Sequence, residues 1–415
     1  LWLIFPLVFC DNRHIEVLKY AFYRVVGYEQ ELKYSAYLNR LVSQMQATQS
    51  TEADPPAQTP SIFENIDGVR FLTHQGGCGG TREDSETLCR LLAGYINNPN
   101  VAGATVLSLG CQNAQIELFK SCLADINPNF SKPLILLDQQ AIGEEEALML
   151  QAISQTLEGL MAANKISRKP APLSKLTIGL ECGGSDGFSG ISANPALGRL
   201  SDLVVALGGK AILSEFPELC GVEQELIDRI TDQQKAEKFS SLMRSYQRSA
   251  ENVGSGFDMN PSPGNIKDGL ITDAIKSAGA AKKGGTSPIQ DELDYTEYAY
   301  TSGLSLLCTP GNDVESTTGL AGSGANIILF TTGLGTPTGN PVAQVIKVSS
   351  NSQLAAKMHD IIDVNTGGII EGTKTLEQMG DELMYCIIEV ASRRLVPKAE
   401  QLEQTDYIPW TRGVS

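Results

Sequence analysis

Four of the nine cysteines in this 415-residue chain stand at or just past the ends of short apolar runs. Cys10 follows residues 1–9, Cys78 follows 69–73, Cys111 follows 104–109 and Cys182 follows 176–180. Runs of this kind make strands buried on both faces, and an open parallel sheet binds ligands beyond the carboxyl ends of its strands. His74 precedes Cys78 in the segment HQGGCGG at 74–80, whose glycines let the backbone turn tightly and approach a ligand. Thiolate and imidazole are competent ligands for ferrous iron or zinc, so Cys78, Cys111 and Cys182 are candidate metal ligands, with Glu181 beside them. The competing reading is that cysteine is a small hydrophobe that packs well at strand ends. Cys89, Cys122, Cys220, Cys308 and Cys386 lie in no ligand pattern and take that second reading.

Polar and glycine-rich segments supply the remaining candidates. Glu181-Cys182-Gly183-Gly184-Ser185-Asp186 follows an apolar run directly, and its backbone N–H groups could cradle a phosphate or carboxylate. Within it Ser185 is a substrate-binding candidate, and Asp186 is a general acid or base, or else a helix cap. Glu215 follows another strand-like run, 210–213, and is a proton-transfer or ligand candidate against a structural ion pair. Asn265 closes the rigid turn NPSPGN at 260–265. Lys283, Thr286 and Ser287 lie in KKGGTSP at 282–288, which combines cationic charge with hydroxyls. These two loops suit a hydroxylated anion, or are simply solvated. Thr336 lies in TTGLGTPTGN at 331–340, again after an apolar run.

The elements that must position these residues are legible as alternation. Apolar runs at 1–10, 69–73, 104–109, 133–137, 176–180, 203–207, 304–307, 326–330 and 345–348 read as strands. Helical spacing covers 86–96, 144–164, 220–251 and 375–394. Strands alternating with helices predict an α/β protein with mostly parallel sheets. Residues 49–60 read as a polar, Pro-rich loop and 167–174 as a linker, which divides the chain into domains at 1–170 and 171–415.

Hydrophobic residues make up 42% and charged residues 19%, the profile of an ordinary globular protein. The formal net charge of -16 repels nucleic acid and anionic membranes, and no basic run offers either a local footing. The apolar start has no basic n-region and is too short to span a bilayer, so it reads as a buried strand. Without an initiator Met, the chain is expected to begin inside a longer protein. An odd number of irregularly spaced cysteines predicts a reducing cytoplasm.

In this order the segments resemble the altronate/galactarate dehydratase family. The resemblance runs through PLVFCDNR, HQGGCGG, SLGCQN, ECGGSDGFSGISANPALG, SEFPEL, NPSPGN, KKGGTSPI, TPGND, FTTGLGTPTGNP with VIKVSSN, and HDIIDVNTGG. It implies a hydro-lyase that dehydrates a sugar acid to a 2-keto-3-deoxy acid, using Fe2+ or Mn2+. It further implies that 1–170 is the family's central α/β domain and 171–415 its C-terminal, unusual Rossmann-like domain. The resemblance also implies that relatives carry a small β-rich N-terminal domain, which is expected to be absent from this sequence. PLVFCDNR and TPGND are similar to the altronate branch, which points to D-altronate over a galactarate-type aldarate. Leu334 stands where many relatives are expected to carry arginine.

Dehydration removes a weakly acidic proton from C2 and protonates the departing C3 hydroxyl, so it needs a base, an acid and a cation to stabilise the developing enediolate. His74 or Lys283 is the expected base, and Glu215 or Asp186 the acid or a metal ligand. Cys78, Cys111 and Cys182 are expected to meet His74 at one cleft bordered by Glu215 and Lys283. One alternative is an iron–sulfur hydro-lyase with a cluster on Cys78, Cys111 and Cys182; a non-catalytic sugar-acid sensor is another. The reading is compatible with a homodimer.

Overall fold

The computed structural model describes residues 1–26, 33–45 and 62–412; the loop expected at 49–60 lies outside them. Among the described residues eleven strands form two sheets, and every pairing in both is parallel. The first sheet holds β1 (Trp2–Pro6), β2 (Val69–Phe71), β3 (Gly103–Ser108) and β4 (Leu134–Asp138) in the order β2-β1-β3-β4. The second holds β5 (Thr177–Cys182), β6 (Lys210–Leu213), β7 (Ile289–Leu293), β8 (Gly303–Leu307), β9 (Ile327–Thr332), β10 (Gln344–Ser349) and β11 (Val364–Asn365). The expected α/β class, with two parallel sheets, is the observed one.

The chain packs as two compact units that interleave in sequence: 1–73, 102–110 and 132–168 form one, and 74–101, 111–131 and 169–415 the other. The first unit is built around Trp2, fully buried between Gly103 of β3 and Gly159 of the helix Glu145–Ala163. A Cβ at either glycine would lie 2.4 or 2.2 Å from the indole, so only glycine leaves room for it. The indole N–H donates to Thr105 Oγ1 at 3.1 Å, which satisfies the ring's one polar atom inside the core.

In the second unit the sheet order is β11-β10-β9-β5-β6-β8-β7. Without the edge strand β7, this is the doubly wound order of a dinucleotide-binding fold, with β5 as its first strand and the order reversing between β5 and β9. The helices Arg82–Asn97 and Asp313–Gly322 cross with backbones touching, because a Cβ on Gly94 would lie 2.0 Å from the Gly322 carbonyl oxygen. The apolar run 203–207 is not a strand. It is the end of the helix Ala193–Ala206, whose Leu200 and Val204 face the core, and a short run alone does not separate the two periods. The helical stretch expected at 220–251 is two helices, Glu223–Ile227 and Gln233–Asn252. They are separated where Ile230 bridges to Ile289 of β7, itself a strand that no apolar run announced. No helix among the described residues is long and apolar enough to cross a membrane.

Glu292 of β7 is fully buried and neither carboxylate oxygen has a hydrogen-bond partner. Burial raises its pKa to about 7. The folded state therefore holds the proton more tightly than the unfolded chain, and the side chain weakens the fold as pH climbs from about 4.5 through 7. Glu292→Gln is expected to add about 2–3 kcal/mol to the unfolding free energy at pH 8 and almost nothing at pH 4.5, read from urea titrations. Equal gains at both pH values would show that ionisation is not the cause.

Candidate active site

The reversal point of the second sheet is where a doubly wound fold opens a crevice, and there the sequence places charge. Glu181 of β5, Phe330 of β9 and Lys347 of β10 stand in register across three adjacent strands, on one face of the sheet. All three are fully buried. Beyond β6 the chain turns through Glu215, whose φ of 69° and ψ of 62° are left-handed, into the single 3-10 turn Phe216–Leu219. A non-glycine residue held there stores strain on the order of 1 kcal/mol, of the kind found where a side chain must be aimed. Thr309 holds it by accepting from the Glu215 N–H at 2.8 Å. One 3-10 turn later, Glu218 lies on the same side.

These residues surround a buried charge cluster. Lys283 Nζ donates to Glu215 Oε2 at 2.6 Å and to Cys182 Sγ at 2.8 Å. The Cys182 thiol lies 2.9 Å from Glu218 Oε2, and the Cys182 N–H donates to Glu215 Oε2 at 3.0 Å. Lys276 Nζ pairs with Glu218 Oε1 at 2.6 Å and also donates to Asn260 Oδ1. Glu181 Oε2 accepts from Ser214 Oγ at 2.7 Å and Ser316 Oγ at 2.6 Å. Ser316 shares a hydrogen bond with Thr309, so hydroxyls link Glu181 to the Glu215 backbone.

The electrostatics follow from burial. Burial and then Glu215 push the Glu181 carboxyl well above its usual range. Glu215 is also raised, by burial first and Glu218 next. Burial would raise Glu218 too, but Lys276 and Lys283 hold it below its ordinary value. Burial together with Glu215 and Glu218 keeps Cys182 a thiol. Lys283 is an ammonium: burial opposes its charge, but the carboxylates around it, Glu215 and Glu218, outweigh that. Lys347 is the opposite case, because burial lowers it to about 7 while its Nζ lies 4.0 Å from the Phe330 ring centroid and donates to the Thr338 carbonyl. Asp313 opens a helix near the Glu181 side chain and is raised to about 7, by burial and then by Glu215 and Glu218.

Of the residues singled out in the sequence, Glu181, Cys182, Glu215 and Lys283 are brought together here. Ligand atoms of Cys182, Glu215 and Glu218 lie within 4.8 Å of one another, and so do those of Glu181, Glu215 and Asp313. His74, Cys78 and Cys111 belong to neither group. His74 is buried and accepts from the Gly76 N–H at 3.2 Å. Cys78 and Cys111 are exposed, on loops joined by bonds from Asn113 to the Gly77 and Cys78 carbonyls. An iron–sulfur cluster on Cys78, Cys111 and Cys182 would need all three sulfurs at one point, and Cys182 is instead enclosed by carboxylates.

Several other candidates are occupied in holding the loops. Asp186 accepts from the N–H of Phe188, from the N–H and hydroxyl of Ser189, and from Asn351. Asn265 donates to the Ser185 carbonyl at 2.8 Å and closes a capping box with Ser262. Thr286 and Ser287 direct both their N–H groups and their hydroxyls at Asp202. The Thr336 N–H turns back to Thr332 Oγ1. Several N–H groups of the glycine-rich loops are used internally as well: Gly183 donates to Thr331, and Gly333 and Leu334 both donate to Gly184.

Glu218, Lys276, Asp313 and Lys347 join the site without having stood out in the sequence. Glu218 and Asp313 sit inside the quoted motifs SEFPEL and TPGND, so the signal was there without a role attached. Lys347 was readable as a lone cation inside an apolar strand. Lys276 carried no signal.

Residues 173–415 match the family model for the D-galactarate/altronate dehydratase C-terminal domain, and residues 1–164 match the D-galactarate dehydratase/altronate hydrolase second domain. The chain is 40% identical over 329 residues to an altronate dehydratase of Escherichia coli, covering 79% of this chain and 65% of that protein. It is 40% identical over 331 residues to the altronate dehydratase of Bacillus subtilis, covering 80% and 65%. A galactarate dehydratase (L-threo-forming) of Escherichia coli is 34% identical over 300 residues, covering 71% and 57%. The matched region thus spans about 65% of the length of these altronate dehydratases.

Proposed function

Because the chain belongs to the D-galactarate/altronate dehydratase family, we propose that it is the catalytic part of a hydro-lyase that converts a sugar acid, D-altronate, to a 2-keto-3-deoxy acid. The observation that carries the reading is the buried Lys283–Glu215–Cys182–Glu218–Lys276 cluster at the reversal point of the second sheet. Five ionisable groups excluded from water are costly to fold around, and such clusters concentrate at functional sites.

The reading includes a divalent cation, Fe2+ or Mn2+, and the residues fit one. Oε1 of Glu181 and Oε1 of Glu215 are buried without a hydrogen-bond partner, so both oxygens are available as ligand atoms. Glu181, Glu215 and Asp313, or Cys182 with Glu215 and Glu218, are the groups that would hold it. When bound, it supplies electrostatic stabilisation of the charge that develops on the substrate carboxylate.

The chain's own residues divide the remaining work. Lys283, fixed as an ammonium, provides positive field and orients Glu215. It is not a base in this state. Lys347 has the neutral-range pKa that proton abstraction at C2 requires, and with no ion pair among the described residues its amine is not tied to a carboxylate. Glu218 stays ionised and anchors Lys276. The cysteine content and charge support a cytoplasmic enzyme, and a homodimer fits the reading.

The test is an oxygen-free assay of keto-acid formation from a panel of aldonates and aldarates, with Fe2+ or Mn2+ present. D-altronate is expected to be turned over fastest. Turnover of galactarate alone would move the chain to the aldarate branch, and binding of sugar acids without turnover would support a sensor.

A further inference from the structure

The buried cluster holds more carboxyl groups than lysines. With Glu181, Glu215, Glu218 and Asp313 all ionised, the two ammoniums paired in the cluster, Lys276 and Lys283, would leave two negative charges (four less two). Among the described residues, Lys347 makes no ion pair with any of the four. A low-dielectric site does not hold two uncompensated charges; it recruits protons or a divalent cation.

The two groups of ligand atoms differ in whether they can receive that cation. In the group of Cys182, Glu215 and Glu218, the Lys283 ammonium already sits 2.8 Å from the sulfur and 2.6 Å from Glu215 Oε2. A cation there would meet another cation at bonding distance. Glu215, with its orphan Oε1, is common to both groups, but only the group of Glu181, Glu215 and Asp313 adds a second orphan atom, Glu181 Oε1. Hydrogen bonds from Ser214 and Ser316 to the other oxygen of Glu181 fix its orientation, and the salt bridge from Lys283 does the same for Glu215. Asp313, at the start of its helix and only partly buried, gives the group its side toward solvent.

We propose that Glu181, Glu215 and Asp313 form an all-carboxylate site for one hard divalent cation, with Cys182 standing outside it. Oxygen donors suit Mn2+, or Fe2+ in its harder coordination, and not the thiolate-preferring metals. The choice of cation rests on the dehydratase reading; the ligand set rests on the orphan oxygens and the charge count.

The experiment is an anaerobic Mn2+ titration of the full chain, following free Mn2+ by electron paramagnetic resonance. One Mn2+ per chain is expected. Asp313→Asn should weaken binding by about 10- to 100-fold, the range for losing a ligand or its support, while Cys182→Ser should leave it within about threefold. Near-ultraviolet circular dichroism confirms folding, and Asp313→Glu, which keeps the oxygen donor, should restore part of the affinity if Asp313→Asn folds poorly. Loss of Mn2+ in Cys182→Ser with retention in Asp313→Asn would overturn the proposal in favour of the thiol-containing group. A wild-type chain that takes up no Mn2+ at millimolar concentration would overturn it outright. Sugar-acid turnover is scored separately: Mn2+ bound by the carboxylates without keto acid defeats the dehydratase reading and leaves the cation site standing.

Discussion

Lys283→Met is expected to lower folding stability by about 3–5 kcal/mol, and to reduce turnover by about 10²-fold or more. The side-chain volumes are close, so on sequence grounds the fold would be expected to tolerate the change easily. The structure alters that expectation. Lys283 is fully buried and its ammonium is the only cation within 4 Å of Glu215, among the described residues. Removing it leaves a buried carboxylate with no counter-charge, and Glu215 already has one orphan oxygen. The most direct response is uptake of a proton by Glu215, whose pKa is raised even with Lys283 present. The loss should therefore be larger at pH 8 than at pH 5. Glu215→Gln in the same chain removes the stranded charge, so the double variant should recover much of the stability but none of the turnover. Urea titrations of the four species give the coupling energy directly. A coupling energy near zero would mean that the pair does not interact as its 2.6 Å distance implies.

How much of this was legible beforehand depends on the kind of signal each element carries. Both sheets were readable, since buried parallel strands are continuous apolar runs, and β1, β3, β4, β9 and β10 fall on them within a few residues. Strand β7 was not readable. Its sequence IQDEL is broken by charge, and it joins the sheet as an edge strand where one side is open. At the site, Glu181, Cys182, Glu215 and Lys283 could be picked from chemistry at strand ends. Their pairing could not, because Lys283 comes from the turn after the helix Asp273–Ala281, 101 residues beyond Cys182. The cysteine pattern misled for a related reason. Strand ends in one sheet converge, but Cys78 and Cys111 follow strands of the first sheet, whereas Cys182 ends a strand of the second. Hydroxyl-rich loops misled differently: Thr286 and Ser287 look like anion binders, yet their donors are consumed by Asp202, a residue in no motif.

The glycines of ECGGSD are where sequence and mechanism meet most sharply, and Gly183→Ala should show it. A Cβ on Gly183 would lie 2.1 Å from Asp313 Oδ2 and 2.6 Å from Phe330 Cζ, both well inside contact distance. The backbone at Gly183 has no left-handed conformation, so the substitution acts through space alone. Phe330 is fully buried between Glu181 and Lys347 in the sheet and has little room to yield. Asp313 is the softer neighbour, and its carboxylate must swing away from Glu181 and Glu215. Overpacking of this kind costs about 1–3 kcal/mol in stability. The functional loss should be larger: turnover should fall by about 10²-fold, the scale of a 1 Å misplacement at a reacting centre, and Mn2+ affinity should fall alongside Asp313→Asn. Gly79→Ala is the matched control, because a Cβ there meets nothing within 4 Å, and it should change stability by no more than about 0.5 kcal/mol. Gly184→Ala separates the causes further, since Gly184 has φ of 60° and a Cβ there faces Thr336 at 2.9 Å instead of Asp313. It should destabilise the turn while leaving Mn2+ affinity closer to wild type than Gly183→Ala does. If Gly183→Ala binds Mn2+ and turns over substrate normally, Asp313 is not part of the working site, and the closeness of Gly183 to its carboxylate reflects packing alone.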